Sequence, residues 1–449
     1  MTYPLQSGSD PDRLLRARSP KPTSEPGNNP VLKRVTAMLR RLAAQSGGKA
    51  FCLIPPDGHP IHFNVGEEPA FTVRVHRQSA LNALASLDAL TIAHAYIDGD
   101  FDFEGDLLAA FAYQERLSDF HPAIYLWRRL QPILVGRPRL NPSWIALHYD
   151  ADNAQLLAAD ATWHTYTPGI YSSENETLEA GADCKLQFAF EALCLGAGQH
   201  LLDVGCGWGG MLRYSGRRGV KVTGLTLSRR QKEYVDRKIA EEQLVAEVWY
   251  QDFFTFEPAG QFDAISMMGV IEDLSDYRAV MRSLSRWLKP GGRVYLDFAA
   301  ERKRFNTHSF VTQHIWPGTF RMVFLPEFIE AVRESPFELM RVDNDRRNYH
   351  LWARGMYERW MTYREGIEAA HGQRLWRTFL LLYAGVAATM NRPSHTATAY
   401  RIVLQLPIDS DGKFQSSKAL AVVDVIRKLV RAIRDRLLGL WSKLGRAVI

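Results

Sequence analysis

Between Leu201 and Gly210 the chain reads Leu-Leu-Asp-Val-Gly-Cys-Gly-Trp-Gly-Gly. An apolar run stops at a carboxylate, Asp203, and drops into a turn with glycine at positions 205, 207, 209 and 210. Such glycines let the backbone turn sharply and approach a ligand that a Cβ would exclude. A carboxylate at the mouth of the turn attracts a cation. Met211, Leu212 and Tyr214 then recur at helical spacing, so the stretch reads as strand, tight loop and helix N-terminus.

Three readings fit a loop of this kind. A dinucleotide rests its pyrophosphate on the helix N-terminus and asks for G-x-G-x-x-G. A glycine-rich turn needs no ligand at all. S-adenosylmethionine has no phosphates, and its amino-acid end carries an ammonium that Asp203 would attract; acidic-x-Gly-x-Gly suits it. The next strand weighs against a nicotinamide cofactor, because it ends in Thr226-Leu227-Ser228 with no Asp or Glu to grip a ribose. Thr226 and Gln231 offer neutral hydrogen bonds instead.

Strand and helix patterns alternate through this part of the chain. Strands are expected at Leu201–Val204, Lys221–Leu225, Ala246–Trp249, Phe262–Met267 and Arg293–Phe298, with helices at Ser228–Glu242 and Tyr277–Leu288. That order predicts an α/β fold with a doubly wound, mostly parallel sheet, in which ligands sit at the carboxyl ends of the strands. The positions of interest are therefore Asp203–Gly207, Thr226–Gln231, Gln251–Phe253, Met268–Asp273 and Asp297–Ala300.

The chain of 449 residues is long enough for two or three domains, and 46% hydrophobic residues supply a proper core. Residues 1–30 hold six prolines and few apolar residues, and are read as disordered. A small α+β domain is expected over 31–140, with a helix at Val31–Ala43 and two strands between Ile61 and His76 around a turn at Gly66-Glu67-Glu68. The acidic run Tyr96–Asp106 lacks the spacing of a calcium loop and is read as a structural turn. Arg137–Pro142 reads as a linker, and residues 141–407 as the catalytic domain. Cys52, Cys184, Cys194 and Cys206 are scattered without a CxxC pair, so no metal site or disulfide framework is expected, and a reducing cytoplasm is the default. No signal peptide or membrane-spanning run is read.

In chain order the sequence also carries His148-Tyr149-Asp150, Tyr171-Ser172-Ser173, LEAGADCK at Leu178–Lys185, GLTLSRRQ at Gly224–Gln231, Gln251-Asp252, Ile271-Glu272, LKPGG at Leu288–Gly292, Ile315-Trp316-Pro317-Gly318 and Asn348-Tyr349. With LLDVGCGWGG these resemble the cyclopropane fatty acid synthase family, which includes the mycolic acid cyclopropane synthases. The resemblance runs from about residue 50 to 407 and includes the small N-terminal domain. It implies a class I S-adenosylmethionine methyltransferase acting on the cis double bond of an unsaturated acyl chain, usually within a phospholipid. Carried over position by position, the cofactor is held by Tyr171, Ser172, Asp203, Gly205, Gly207, Thr226, Leu227, Gln231, Asp252 with Phe253, and Met268. For Tyr171 and Met268 a plain core role stays open.

Methylating an isolated alkene leaves a positive charge, which aromatic faces and carboxylates stabilise and which a base must discharge. In the family that base is a bound bicarbonate, held near a Cys, a Glu, a His and a Tyr. Here Glu272 and Tyr349 match, while Ser173 stands for the Cys, Asp273 for the His of the usual FEH, and Asp297 for a His on the next strand. Two carboxylates in place of two potential cations repel a bicarbonate. Asp297, or failing that Asp273, is therefore expected to take the proton itself. That change points to a methyl-branched, unsaturated product, with ring closure to a cyclopropane as the alternative.

The net charge of +6 sits in the tail. From Lys413 to Ile449 there are nine basic and two acidic residues, a net of +7, so the remainder is near neutral and no nucleic-acid partner is expected. Leu420, Val423, Ile426, Ile433, Leu437, Leu440, Trp441 and Leu444 recur at helical steps among the basic residues. Residues 413–449 thus read as an amphipathic helix on an anionic phospholipid membrane, placing the protein peripherally on the cytoplasmic face of the cell membrane. Docking on the catalytic domain or on a homodimer partner is the other reading of that helix. A methyltransferase for a soluble acceptor, or a binding protein that has lost catalysis, are the other function classes.

Overall fold

The computed structural model describes residues 29–46, 49–119 except 65, 122, 126, 161–303 except 275, 308–315, 322–392 and 397–408. The proline-rich residues 1–28, the Arg137–Pro142 linker, His148-Tyr149-Asp150, residues 316–318 and the basic tail from 413 lie outside the described residues. The contacts within the chain divide it into two units, Met1–Leu117 and Ser118–Ile449.

The first unit holds a helix at Pro30–Ser46 and a sheet of β1 (Phe51–Ile54), β2 (Ile61–Phe63), β3 (Phe71–Val75) and β4 (Phe101–Gly105), in the order β2-β1-β3-β4. The two strands expected between Ile61 and His76 form as β2 and β3, but β1 lies between them, antiparallel to β2 and parallel to β3. The sequence Phe-Cys-Leu-Ile of β1 has no polar face, which suits a central strand. The acidic run expected to be a turn is in its second half a strand: Phe101 and Phe103 alternate with Asp102 and Glu104, a period of two. Phe101 is buried against Tyr96, while Glu104 pairs with Arg74 of β3 and Asp102 with His76 just after it.

In the second unit the strands are β5 (His200–Val204), β6 (Lys221–Thr226), β7 (Ala246–Tyr250), β8 (Phe262–Met268), β9 (Leu288–Glu301), β10 (Val323–Phe324), β11 (Glu338–Asn344) and β12 (Ala397–Gln405). They form one sheet in the order β11-β12-β9-β8-β5-β6-β7, with β10 beside β9. β5 to β9 are parallel; β12 and β11 extend the sheet antiparallel. The expected strands are all present. β9 is longer than expected, beginning at Leu288 and running through Lys289-Pro290-Gly291-Gly292.

Neighbouring residues of β5 feed opposite cores. Leu202 and Val204 join Ile265, Met267 and the helix Tyr277–Trp287 on one side of the sheet. Leu201 joins Ala264, Tyr295, Val403 and the helices Leu178–Ala192 and Gly210–Gly216 on the other. Period-two alternation puts Asp203 on the Leu201 side, and Asp297 on the same side as Tyr295. A sheet covered on both faces leaves its strand ends as the place for chemistry.

Candidate functional site

Three glycines after β5 have positive φ: Gly205 at +66°, Gly207 at +53° and Gly209 at +83°. At Gly205 a Cβ would also stand 2.4 Å from Val270 Cγ2, so only glycine fits. At Gly207 a Cβ would meet nothing within 4 Å, so the loop borders open space from which a ligand can approach. The Cys206 N–H donates to the Leu225 carbonyl at 2.9 Å and ties the loop to β6. Trp208 turns inward and meets Tyr234 edge-on at 5.3 Å.

Asp203 is 3% exposed. Its Oδ1 accepts a hydrogen bond from the Ser266 hydroxyl at 2.7 Å. Its Oδ2, equally buried, makes no hydrogen bond among the described residues. Burial pushes this carboxyl up to about 7, against the pull of Ser266 and Lys185. An unsatisfied buried carboxylate oxygen beside an open glycine loop fits an ammonium, the group at the amino-acid end of S-adenosylmethionine.

Thr226 donates to Gln231 Oε1 at 2.7 Å and accepts from the Ser228 N–H at 3.1 Å. Ser228 caps the helix Arg229–Glu242 by accepting from the Gln231 N–H. Leu227 is half-buried. The Gln251 N–H donates to the Thr226 carbonyl, and Asp252 accepts from the Phe254 N–H at 2.8 Å. The Phe253 side chain belongs to the core, with its ring 4.9 Å from that of Trp287. Met268 is half-buried and packs against the core on the Tyr295 side. The Tyr171 N–H donates to Asn348 Oδ1 at 3.0 Å, and its ring packs against Gly181. Ser172 and Ser173 are exposed, and the Ser172 N–H and hydroxyl both donate to Glu176.

Register aligns these positions. Asp203 pairs across with Gly224 and Ser266, Thr226 with Tyr250, and Met268 with Asp297. The glycine loop, Thr226-Leu227, Gln251–Phe253, Met268–Asp273 and Asp297 therefore all emerge at one edge of the sheet, the carboxyl ends of its parallel strands.

A second group of carboxyls occupies the β8–β9 side of that edge. Glu272 Oε1 accepts from the Ala299 N–H at 2.8 Å, and its Oε2 is buried with no hydrogen bond among the described residues. Burial, reinforced by Asp273 and Asp297, pushes Glu272 up to about 8. Burial pushes Asp273 up to about 7. The Tyr349 hydroxyl is raised well above its usual value by burial and by Glu272, Asp297 and Asp345. Its ring meets Trp352 edge-on at 5.9 Å, and Trp352 meets Tyr166 and Tyr383 in the same way. An aromatic wall thus adjoins the carboxyl group.

Asp297, expected from the sequence to take the proton, has a cationic partner in the structure. Its Oδ2 lies 2.8 Å from the Lys185 ammonium, both side chains being buried, and also accepts from the Tyr295 hydroxyl at 3.3 Å. Lys185 was not singled out from the sequence, since a lysine reads as solvent-facing. The signal was its place in the buried stripe Leu178, Ala182, Lys185, Leu186 and Ala189 of its helix. Asp345 was also missed. It is pushed up to about 6 by burial, against the pull of Arg401 at 3.1 Å, and accepts from Asn348, the residue that holds Tyr171.

The two-faced parallel sheet, the positive-φ glycine loop and the buried acid near the end of β5 define a class I S-adenosylmethionine-dependent methyltransferase. The family model for mycolic acid cyclopropane synthetase matches residues 139–397, more than half of the chain, and the chain belongs to that family. Among curated relatives, a sphingolipid C9-methyltransferase of Komagataella phaffii is 26% identical over 71% of this chain and 70% of its own length. A "Probable fatty acid methyltransferase" of Mycobacterium tuberculosis is 29% identical over 52% of this chain and 57% of its own. A namesake from Pseudomonas putida is 24% identical over 71% and 84%. Of solved structures, mycolic acid cyclopropane synthase CmaA1 with SAH and CTAB has a TM-score of 0.55 at 21% identity, covering 60% of this chain and 99% of that one. The cyclopropane synthase MmaA2 of Mycobacterium tuberculosis has 0.55 at 20%, covering 59% and 98%. These structures share the fold.

Proposed function

We propose that the enzyme methylates the cis double bond of an unsaturated acyl chain in a membrane phospholipid and leaves a methyl-branched, unsaturated chain. The observation that carries this reading is the carboxyl cluster Glu272, Asp273 and Asp297 beside the aromatic wall of Tyr349 and Trp352. It is suited to a reaction that creates and then discharges positive charge on carbon. The names of the relatives, fatty acid and sphingolipid methyltransferases, support a lipid chain as acceptor.

Asp203 and the Gly205–Gly207 turn hold the amino-acid end of S-adenosylmethionine, and Thr226, Gln231 and Asp252 lie where the adjoining strands end. When bound, that cofactor supplies an electron-poor methyl group and keeps the C–S bonding pair on sulfur. The π pair of the substrate double bond forms the new carbon–carbon bond. The tyrosine and tryptophan faces and the carboxyls stabilise the resulting charge, and the buried site excludes water that would otherwise capture it. A proton then leaves a neighbouring chain carbon, and its bonding pair restores a double bond. Glu272 and Asp273, raised to about 8 and about 7, have proton affinities matched to that transfer near neutral pH. Asp297, expected from sequence to take the proton, already has its Oδ2 committed to Lys185 and Tyr295.

Incubating the full chain with isotopically labelled S-adenosylmethionine and vesicles of dioleoyl phosphatidylglycerol tests the reading. The expected product gains one CH2 in mass and one further H2 on catalytic hydrogenation. A product that resists mild hydrogenation is the cyclopropane, and unlabelled lipid with label on a soluble acceptor refutes the lipid reading. Residues 413–449 are proposed, from their sequence, to hold the enzyme peripherally on an anionic membrane at the cytoplasmic face. Truncation after Lys413 then abolishes vesicle binding that high salt also weakens.

A further inference from the structure

We propose that Lys185 is a positioning residue that withdraws Asp297 from proton transfer and so sends the substrate's proton to the Glu272–Asp273 carboxyls. The proposal rests on the acyl-methylation reading above. Lys185 occupies an interior place on the helix Leu178–Ala192, in one stripe with Leu178, Ala182, Leu186 and Ala189. Its side chain is 1% exposed and that of Asp297 is 6%. The ammonium touches Asp297 Oδ2 at 2.8 Å and also donates to the Thr167 hydroxyl. The Tyr295 hydroxyl donates to the same carboxylate oxygen.

For Asp297 to accept a proton it must give up its charge and strand the ammonium in the interior among hydroxyls. A buried charge left without its partner is far costlier than an unformed surface pair. Asp297 is thus committed to its ion pair with Lys185. Glu272 is its counterpart. It is bonded to the N–H of Ala299, two residues along β9 from Asp297, so the two carboxyls occupy neighbouring places at one strand end. Glu272 forms no ion pair among the described residues, and its Oε2 is unsatisfied there. The proton released from the substrate carbon passes to Glu272 or Asp273, its C–H pair becomes the new double bond, and the Lys185–Asp297 pair exchanges no proton. Because the position of the accepting oxygen selects which hydrogen is lost, Lys185 also controls the product.

The test compares full-length wild type with D297N, K185M and the double variant, using labelled cofactor and dioleoyl phosphatidylglycerol vesicles and resolving product isomers by hydrogenation and mass spectrometry. D297N is expected to slow turnover but keep the isomer ratio. K185M frees Asp297 as a second acceptor and is expected to shift that ratio about tenfold; K185M/D297N restores it. A changed ratio in D297N overturns the proposal, as does an unchanged ratio in a folded K185M. Should K185M fail to fold, D297N alone decides.

A second readout needs no lipid. In infrared difference spectra, wild type minus D297N shows residue 297 as an ionised carboxylate at neutral pH, and K185M minus K185M/D297N shows both its protonated and its ionised bands, the mixed population of a carboxyl able to exchange a proton. A protonated Asp297 in wild type overturns the role of Lys185. Vesicles left unmethylated by wild type sink the substrate reading without touching this spectrum.

Discussion

Asp203 lies one residue before the end of β5 and Asp297 near the end of β9, with only β8 between them, and both carboxyls face the same buried side of the sheet. Their company differs. Asp203 has a neutral hydroxyl on one oxygen and nothing bonded to the other, whereas Asp297 has an ammonium and a phenol on one oxygen. The first is incomplete until a cation arrives from outside; the second carries its cation within the fold. Buried acids of the same type thus divide between ligand binding and fixed charge according to what the neighbouring helix supplies. Glu272 and Asp273 form a third case, with no ion pair among the described residues and raised proton affinity.

The contrast breaks if the unpaired carboxyls prove dispensable. Removing both, in E272Q/D273N, should lower turnover by about 10²–10⁴-fold with cofactor binding retained, measured by product formation beside calorimetry. For the paired carboxyl the large effect is on stability. K185M leaves Asp297 buried without a partner and should cost about 3–5 kcal/mol in denaturant unfolding, much of it recovered in K185M/D297N. At Asp203 the effect belongs to binding: D203N should weaken S-adenosylhomocysteine by about 1.5–3 kcal/mol, roughly 10–150-fold, with little loss of stability.

A pH series sharpens the comparison further. Burial raises Asp203 from an ordinary 3.8 to about 7, so around neutrality the folded, ligand-free chain binds a proton that the unfolded chain does not. Its contribution to stability is therefore full below about pH 4 and is lost as pH rises through about 7. Cofactor binding needs the ionised form and runs the other way, weakening about tenfold from about pH 8 to about pH 6. Calorimetric titration and thermal melts across that range should show opposite slopes; parallel slopes would mean that Asp203 does not meet the ammonium.

Much of this frame was legible before any coordinates. Asp203, the glycines, Thr226 and the alternation of strands and helices were readable because each reflects a local demand: a turn with positive φ, a cap at Ser228, a run of β-branched and aliphatic residues. Antiparallel β12 was not read. It is an interior strand whose residues are buried on both faces at Ala397–Ala399 and Ile402–Leu404, so its sequence shows no clean alternation. Lys185 was invisible for a related reason. Residue type argues for solvent, and only its partner two strands from the glycine loop reverses that preference. The acidic run near Asp102 reads as a turn by its charge and glycines, whereas the period-two alternation of Phe101 and Phe103 with Asp102 and Glu104 makes its second half a strand.

The reversed direction of β12 sets a length for the polypeptide that follows it. Ala397 pairs with Glu301 and Gln405 with Arg293, so the chain leaves the sheet toward the amino ends of the parallel strands, away from the glycine loop. Asp203 is level with Ser266, Tyr295 and Val403, so the step from Val403 to Gln405 separates that exit from the level of Asp203, about 7 Å at 3.3 Å per residue. Any leash that lets residues 413–449 grip a lipid surface facing the Asp203 end has to turn back and cover at least that distance, which takes about two extended residues.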